Sequence, residues 1–308
     1  MEDLINIIEG AFPGADVIGV RLLSGGMSTQ MHVIDLVTAT GERKRAVIRR
    51  HGPDVVDAEV RLRTERNVLN LVCNRGVLAP QPLFFELAAS DVSRPSLGLS
   101  FIEGEMALSP VSPTHYAAQL AACLAGLHAV PLGGGMEAQL RSVCLRPPSA
   151  SSHIPWLPNV LQPDVVSARL NSAPSHGSNP SVLLHQDPWP GNTLINDAGD
   201  ITGIIDWEDA SLGDPLADVA IARVELSILF GPAVCDAFTQ NYVGQADLKW
   251  GGLPMWDLWA WLRLVGLIGA DLEAWVAFYP LHGRGDVTKE RYGRALEVFA
   301  DGALDLLY

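Results

Sequence analysis

The chain is most informative at Leu183-Leu184-His185-Gln186-Asp187-Pro188-Trp189-Pro190-Gly191-Asn192-Thr193-Leu194-Ile195. An apolar lead-in is followed by His-x-Asp, then by a loop containing proline and glycine, and an asparagine lies five residues beyond the aspartate. A second apolar run, 201–205, ends at Asp206, and the sequence Asp-Ala-Gly-Asp at 197–200 separates the two runs. That spacing predicts a β-hairpin with polar side chains gathered at one end.

The predicted hairpin would bring Asn192 and Asp206 to the same end of the ribbon, beside Asp187. Three oxygen-bearing side chains in that arrangement suit a hard cation whose other ligands are waters and phosphate oxygens, which favours Mg²⁺. An alternative is a metallo-hydrolase that uses His185, Asp187 and Asp206. That alternative lacks further histidines at the spacing of metal ligands.

The first hundred residues are rich in predicted strands, with apolar alternation and Gly-containing turns. The expected strands are 16–23, 31–38, 45–50, 83–87 and 97–102, and one helix is expected over 57–74. Beyond residue 104 the pattern changes to a helix over 114–130, weak signals over 132–180, short strands over 181–207, and helices after Pro215. We therefore predict an α+β fold in two parts, residues 1–103 and 104–308.

Composition and charge limit the class of partner. The chain has 308 residues, 48% hydrophobic and 18% charged, and a net charge of -14. An acidic surface argues against binding to nucleic acid or to an anionic membrane. Residues 106–308 contain 10 basic and 21 acidic side chains, a net charge of -11, which leans towards a cationic small-molecule partner.

The cellular compartment is predicted from the cysteines and the N-terminus. The four cysteines are scattered without a C-x-x-C pair, as in proteins of a reducing compartment. The N-terminal sequence Met-Glu-Asp-Leu-Ile-Asn lacks the positive charge and apolar run of a signal peptide. The apolar stretch 253–278 is interrupted by four charged residues and is expected to form buried helices. We expect a cytoplasmic protein, either monomeric or homodimeric.

The polar pattern around residue 187 resembles a known family. His-x-Asp followed by Asn at the fifth position, an apolar strand and an Asp is similar to the catalytic loop of protein kinases. The continuation Ile205-Asp206-Trp207-Glu208, followed by Gly213-Asp214-Pro215-Leu216-Ala217-Asp218, resembles the aminoglycoside phosphotransferase family in its broad sense. The resemblance implies a protein-kinase-like fold with a nucleotide-binding lobe at 1–103 and a catalytic, substrate-binding lobe at 104–308.

The activity implied by the resemblance is transfer of the γ-phosphoryl group of ATP or GTP to a hydroxyl of a small molecule. The acceptor would be an antibiotic, such as an aminoglycoside or a macrolide, or a metabolite. Asp187 would act as the catalytic base and His185 would brace the catalytic loop. Asn192 and Asp206 would hold Mg²⁺.

The resemblance also implies a nucleotide site in the first lobe. Arg49 would contact the α- and β-phosphates and Glu65 would pair with it. The backbone of the hinge would bind the base. The loop over the triphosphate would be formed by Ser24, Gly25, Gly26, Met27 and Ser28, and the hinge by Ser100, Phe101 and Ile102.

Two positions depart from the family pattern. Gln186 stands where the family usually has glycine, the residue that adopts positive φ without strain. Arg49 replaces the usual lysine, although arginine keeps the charge and adds a planar fork suited to phosphate oxygens. These departures motivate the alternative of a nucleotide-binding pseudokinase or regulatory module without turnover.

Overall fold

The computed structural model describes residues 2–23, 29–52, 55–87, 94–133, 135–145, 153–174 and 177–307. The chain divides into two compact units, Met1–Glu103 and Gly104–Tyr308. The first unit is built on an antiparallel sheet, and the second is mainly helical. This architecture confirms the predicted α+β fold class.

The first unit contains a five-stranded sheet in the order β1-β2-β3-β5-β4, with every neighbouring pair antiparallel. Its strands are β1 (Asp16–Leu23), β2 (Thr29–Val37), β3 (Arg43–His51), β4 (Pro82–Glu86) and β5 (Ser96–Ser100). The central strand β3 pairs Arg49 with Met31 on one side and with Leu97 on the other. All five strands predicted from the sequence are present, with ends shifted by a few residues.

Two helices accompany this sheet, one more than the sequence indicates. The predicted helix is α2 (Ala58–Cys73), which buries Leu62, Val68, Leu69 and Val72. The additional helix is α1 (Glu2–Ala11). Its residues Leu4 and Ile8, four positions apart and therefore on one face, pack with Ile34, Leu36 and Ile48 of the sheet. The helix is only 10 residues long, so it depends on this packing for its stability.

The second unit contains two small sheets. One joins β7 (Val182–Leu184) to β10 (Ser211–Gly213), and the other has the order β6 (Glu105–Met106), β8 (Thr193–Ile195) and β9 (Ile201–Ile204). Strands β8 and β9 form the predicted hairpin, with Thr193 opposite Ile204. The first small sheet leads into the predicted catalytic loop (residues 185–192), and the hairpin leads out of it.

The described part of the second unit also contains eight α-helices. They are α3 (Pro113–His128), α4 (Pro163–Ser172), α5 (Leu216–Phe230), α6 (Pro232–Val243), α7 (Leu253–Ile268), α8 (Leu272–Val276), α9 (Phe278–Leu281) and α10 (Lys289–Asp305). The Ser112 hydroxyl caps α3 by accepting from the His115 N–H at 3.3 Å. Helices α5 and α7 are apolar around most of their circumference because both run through the core.

The apolar stretch predicted to form buried helices contains α7, which buries ten of its 16 residues. Among the described residues, no single helix has the length and apolar composition needed to cross a membrane. One pair of helices, Trp250–Ile268 and Leu272–Leu281, has the required length and apolar composition when the two are taken together, but the chain bends by 98° between them.

Candidate active site

The predicted catalytic loop lies between β7 and β8 and is closed by a hydrogen bond between two predicted site residues. The Asn192 Nδ2 donates to the Asp187 carboxylate Oδ2 at 2.8 Å and to the Asp187 carbonyl at 3.1 Å. The Ile205 N–H donates to the Asn192 carbonyl at 2.9 Å, which places the residue before Asp206 against the loop. The hairpin therefore brings Asp187, Asn192 and the end of β9 together.

His185 is fully buried and both of its ring nitrogens have backbone partners. The Nε2 donates to the Ile205 carbonyl at 3.0 Å, and the Nδ1 accepts from the Asp187 N–H at 3.2 Å. The ring also packs edge-on against Trp207, with 4.6 Å between centroids. These contacts make His185 a brace between the loop and β9. They leave no nitrogen for a metal, which counts against the metallo-hydrolase alternative.

Asp218, in the first turn of α5, fixes the start of the loop. Its carboxylate accepts from the N–H groups of His185 and Gln186 at 2.7 and 2.8 Å, and from the His128 Nε2 at 3.2 Å. Burial opposes ionisation of Asp218, but the hydrogen bond and charge interaction with His128 hold the pKa of this carboxyl below its usual value. Asp218 therefore holds the backbone on the N-terminal side of Asp187.

Two residues of this site have a backbone that non-glycine residues rarely adopt. Gln186 has φ 71° and Asp206 has φ 67°. Within the described residues, the only other non-glycine position with positive φ is Asp57, at 60°. Gln186 thus takes the left-handed conformation that the family's glycine would take. Such strained positions persist where the surroundings over-determine them, which is common at functional sites.

The donor set at the end of the hairpin fits a magnesium ion. Because the Asn192 Nδ2 is used as a donor to Asp187, its amide oxygen Oδ1 is left for a cation. Mg²⁺ is held in proteins by one or two carboxylates and keeps waters and phosphate oxygens as its other ligands. In the described part of the chain, no group of three His, Cys, Asp or Glu side chains forms an all-protein metal site. The Asn192 amide oxygen and the neighbouring Asp206 carboxylate are compatible with magnesium binding in which waters and phosphate oxygens supply the other ligands.

Two charged residues near Asp187 are not identified as site residues by the sequence analysis. The Arg263 Nη1 donates to the Asp187 Oδ1 at 3.3 Å. Burial raises the pKa of Asp187, and the charge of Arg263 opposes that rise. Glu225, 7% exposed, has its pKa raised to about 8 by burial and by the nearby charge of Asp187. Both residues interrupt apolar helices, α7 and α5, and a charge inside an apolar helix is the signal that could have identified them.

In the first unit, the predicted phosphate-binding cation is paired as expected. The Arg49 Nη1 donates to the Glu65 Oε1 at 2.7 Å, and the two side chains are only 3% and 2% exposed. The pair joins β3 to α2 and is not a surface ion pair.

The predicted hinge is partly engaged in the sheet. Ser100 exchanges hydrogen bonds with Gln81, and the Phe101 N–H donates to the Arg45 carbonyl at 3.4 Å. The Ile102 N–H has no partner among the described residues. Of the three hinge residues, Ile102 therefore offers the backbone donor that a nucleotide base could use. The predicted loop formed by Ser24, Gly25, Gly26, Met27 and Ser28 lies outside the described residues.

Residues 20–267 match the model of the phosphotransferase enzyme family. The chain belongs to this family. No curated protein matches it. Family membership makes the chain a phosphotransferase, and it establishes the resemblance that the catalytic-loop sequence indicates.

Solved structures of other phosphotransferases share the fold of this one over almost its whole length. A spectinomycin phosphotransferase in complex with ADP and spectinomycin has a TM-score of 0.66 and 16% identity, covering 99% of this chain and 98% of that one. The GDP complex of an aminoglycoside 2'-phosphotransferase has a TM-score of 0.65 and 21% identity, with 98% of each chain covered. The choline kinase of Streptococcus pneumoniae has a TM-score of 0.60 and 20% identity, covering 98% and 99%.

Proposed function

We propose that this phosphotransferase moves the γ-phosphoryl group of ATP or GTP to a hydroxyl of a small molecule in a Mg²⁺-dependent reaction. The observation that supports this most directly is the hydrogen bond from Asn192 to Asp187 at the end of the β8–β9 hairpin, beside Asp206. The acceptors named for the structural relatives are an antibiotic, spectinomycin, and choline. Their nucleotides, ADP and GDP, are compatible with either triphosphate here.

In the proposed reaction, Asp187 receives the proton of the acceptor hydroxyl. A bond forms between that oxygen and the γ-phosphorus, and the bond from the γ-phosphorus to the β–γ bridging oxygen breaks, which releases the nucleoside diphosphate. The transition state is loose, so the protein acts mainly by positioning the reactants and stabilising charge.

The two oxygens of Asp187 are held from different sides. Oδ2 accepts from Asn192 and Oδ1 accepts from Arg263. Two fixed hydrogen bonds orient the carboxylate towards one direction of approach. The rise in pKa caused by burial makes Asp187 a better proton acceptor than a solvated aspartate, since a base works best when its pKa approaches the working pH.

We assign Asn192 and Asp206 as the residues that would hold Mg²⁺, and the ion would neutralise charge on the phosphate oxygens. Arg49 would contact the non-transferred phosphates, with Glu65 fixing its side chain. His185 would remain a positioning residue because its ring nitrogens are occupied by backbone groups. We place the reaction in the cytoplasm, in keeping with the four cysteines, all of which are free thiols.

Substitution of the base tests the proposal. Asp187→Asn keeps the shape of the side chain and removes its ability to accept a proton. Turnover is expected to fall by roughly 10²–10⁴, the usual contribution of a positioned acid–base group, while Mg²⁺–triphosphate affinity stays within about twofold. Acceptor phosphorylation is followed by mass spectrometry and nucleotide affinity by calorimetry. Asp197→Asn, at an exposed position in the hairpin turn, is the matched control.

Nearly unchanged turnover in Asp187→Asn would remove Asp187 from the catalytic role. Nucleotide binding by the wild-type protein without any turnover over a broad panel of hydroxylated acceptors would favour the pseudokinase alternative instead.

A further inference from the structure

A cavity of about 260 Å³ lies in the second unit next to the catalytic loop. It is lined by Arg141, Ser142, Val143, Gln186, Asp209, Ser211 and Arg263. Two of these residues place it beside the proposed base: Gln186 precedes Asp187 in the chain, and Arg263 donates to the Asp187 carboxylate. A molecule in this cavity would therefore lie within reach of the group proposed to accept the hydroxyl proton.

Two polar atoms in the wall of the cavity are buried without a partner among the described residues. They are the Gln186 Nε2 and the Ser211 Oγ, on residues that are only 6% and 2% exposed. A buried polar atom without a partner is unfavourable, because it has lost its hydrogen bonds to water. Both groups can donate a hydrogen bond, so a bound ligand that supplies acceptor atoms would satisfy them.

The charged groups of the lining are two arginines and one aspartate. Arg141 pairs with Asp209 at 3.1 Å, and both side chains are more than half exposed. Arg263 is bound to Asp187 through one nitrogen, and its guanidinium has further N–H groups to offer. With the amide and the hydroxyl, donors outnumber acceptors in this wall. Such a wall suits an oxyanion, because arginine binds carboxylate and phosphate groups in paired geometry.

We infer that the acceptor of this phosphotransferase is a hydroxylated small molecule with an anionic group, a carboxylate or a phosphate, bound by Arg263, Gln186 and Ser211. The inference rests on the proposed function, whose reaction it leaves unchanged. The net charge of -11 over residues 106–308 favours a cationic acceptor, but charge summed over the unit is spread across its surface. The groups that line the cavity determine what binds there, and they favour an anion.

The anionic group would also change the contact made by Arg263. In the protein alone, its guanidinium is directed to the Asp187 Oδ1. An acceptor oxyanion placed against the same guanidinium would share its charge and draw the acceptor to the base. Arg263 would thus link binding of the anion to the position of the hydroxyl.

The test is a panel of matched acceptors assayed with the full chain, ATP or GTP, and Mg²⁺. Each hydroxy acid and sugar acid is paired with its primary amide and with the amine of the same skeleton, and each sugar phosphate with its parent sugar. Mass spectrometry measures the gain of one phosphoryl group. We expect the anionic member of a productive set to react about tenfold to a hundredfold faster than its neutral partner, as for a charge-assisted hydrogen bond.

Variants then identify the groups responsible. Arg263→Gln, Ser211→Ala and Gln186→Gly should each reduce the ratio of acid to amide rates towards one. The ratio is the informative quantity because Arg263 also contacts Asp187, so its loss is expected to slow all acceptors. Gln186→Gly suits the positive φ of that position. Arg294→Gln removes a 73% exposed arginine of the same unit and should leave the ratio unchanged.

The inference is wrong if no anionic acceptor in the panel reacts faster than its neutral partner, or if the amines react fastest. It is also wrong if the ratio is the same in Arg263→Gln as in the wild-type protein. The proposed function is judged separately, by Mg²⁺-dependent binding of the triphosphate and by the loss of turnover in Asp187→Asn on whichever acceptor reacts.

Discussion

Arg49 and Glu65 form a buried ion pair in the first unit, and its proposed role can be separated from its structural one. A lone buried charge is costly, so Arg49→Ala should lower stability because it leaves Glu65 without this partner. The same variant should weaken triphosphate binding by about one to two decades, as expected for a lost charge-assisted hydrogen bond. Adenosine or guanosine affinity should change much less, because a nucleoside has no phosphates for the arginine to bind.

Calorimetric titrations of nucleoside, diphosphate and triphosphate measure this difference, at a temperature where the variant is folded. Arg49→Lys is the matched variant, since it keeps the charge without the planar fork and should recover part of the affinity. Equal losses for nucleoside and triphosphate would mean that Arg49 only supports the unit structurally.

Glu225 gives a second prediction for a single residue, in this case for stability. Its pKa is raised to about 8 in the folded protein, so the carboxyl is mainly protonated at neutral pH. In the unfolded chain the same group ionises near pH 4.3. Between these values the folded state binds more protons, and its stability therefore falls as the pH rises, by up to about 1.4 kcal/mol per pH unit. Glu225→Gln, which is neutral at every pH, should remove this loss.

Thermal unfolding at pH 5.5 and pH 8.5 measures the effect. The wild-type protein should lose more stability between the two values than Glu225→Gln does, and the variant should be the more stable protein at pH 8.5. Glu273→Gln removes a 75% exposed carboxylate of the same unit and serves as the control. A parallel pH dependence in wild type and Glu225→Gln would show that Glu225 titrates near its usual pKa.

At the scale of elements, the proposed catalytic loop depends on one side chain of α5. Asp218 accepts from two consecutive N–H groups of the loop and from His128 of α3. Asp218→Asn preserves the shape but replaces one acceptor by a donor and removes the charge. We expect a loss of about 3–5 kcal/mol in stability, as for breaking a buried charge network, together with slower turnover. Chemical denaturation measures the stability change.

A change in stability near zero for Asp218→Asn would show that the loop is held by other contacts. The control is Asp301→Asn, an exposed aspartate on α10. The lowered pKa of Asp218 adds a pH dependence: its stabilisation is present above the pKa of the unfolded carboxyl and is lost as the pH falls through the folded value.

The elements that could be predicted from the sequence are those whose signal is local. Strands β1 to β3 alternate along the chain between turn residues, and the hairpin at residue 199 has a turn sequence of its own. Helices α1 and α4 have only 10 residues each, which is too short for a helix to be stable on its own, so packing decides their structure.

The same limit applies to the site. Asp187 and Asn192 are five residues apart, whereas Arg263 reaches Asp187 across 76 positions. Local spacing therefore indicated the catalytic loop but not the arginine from α7. The cavity, to which residues 141–143, Asp209 and Ser211 contribute, has no counterpart in any single stretch of sequence. Only tertiary packing brings its hydrogen-bond donors together. The net charge of residues 106–308 favours a cationic partner instead, whereas the donors of the cavity led us to infer an anionic one.

At the scale of the whole molecule, the proposed function predicts that the nucleotide and Mg²⁺ stabilise the folded chain. A ligand that binds only the folded protein stabilises it by about 2.7 kcal/mol when its concentration is 100 times the Kd. Mg²⁺ with ATP or GTP should therefore raise the thermal unfolding temperature of the full chain, and more than the triphosphate does with a chelator.

Asp206→Gly should abolish the part of this stabilisation that depends on Mg²⁺, because it removes a proposed ligand. Glycine is the most suitable substitution here because Asp206 has φ 67°, a conformation that glycine adopts without strain.

The control is Asp57→Gly, which removes an exposed aspartate of the first unit from a backbone with φ 60°. It matches the change in side chain and in backbone freedom, and it should keep the full magnesium effect. Thermal unfolding with and without Mg²⁺, at fixed triphosphate, compares the three proteins. If Asp206→Gly is stabilised by Mg²⁺ and triphosphate as much as Asp57→Gly is, then Asp206 does not hold the metal.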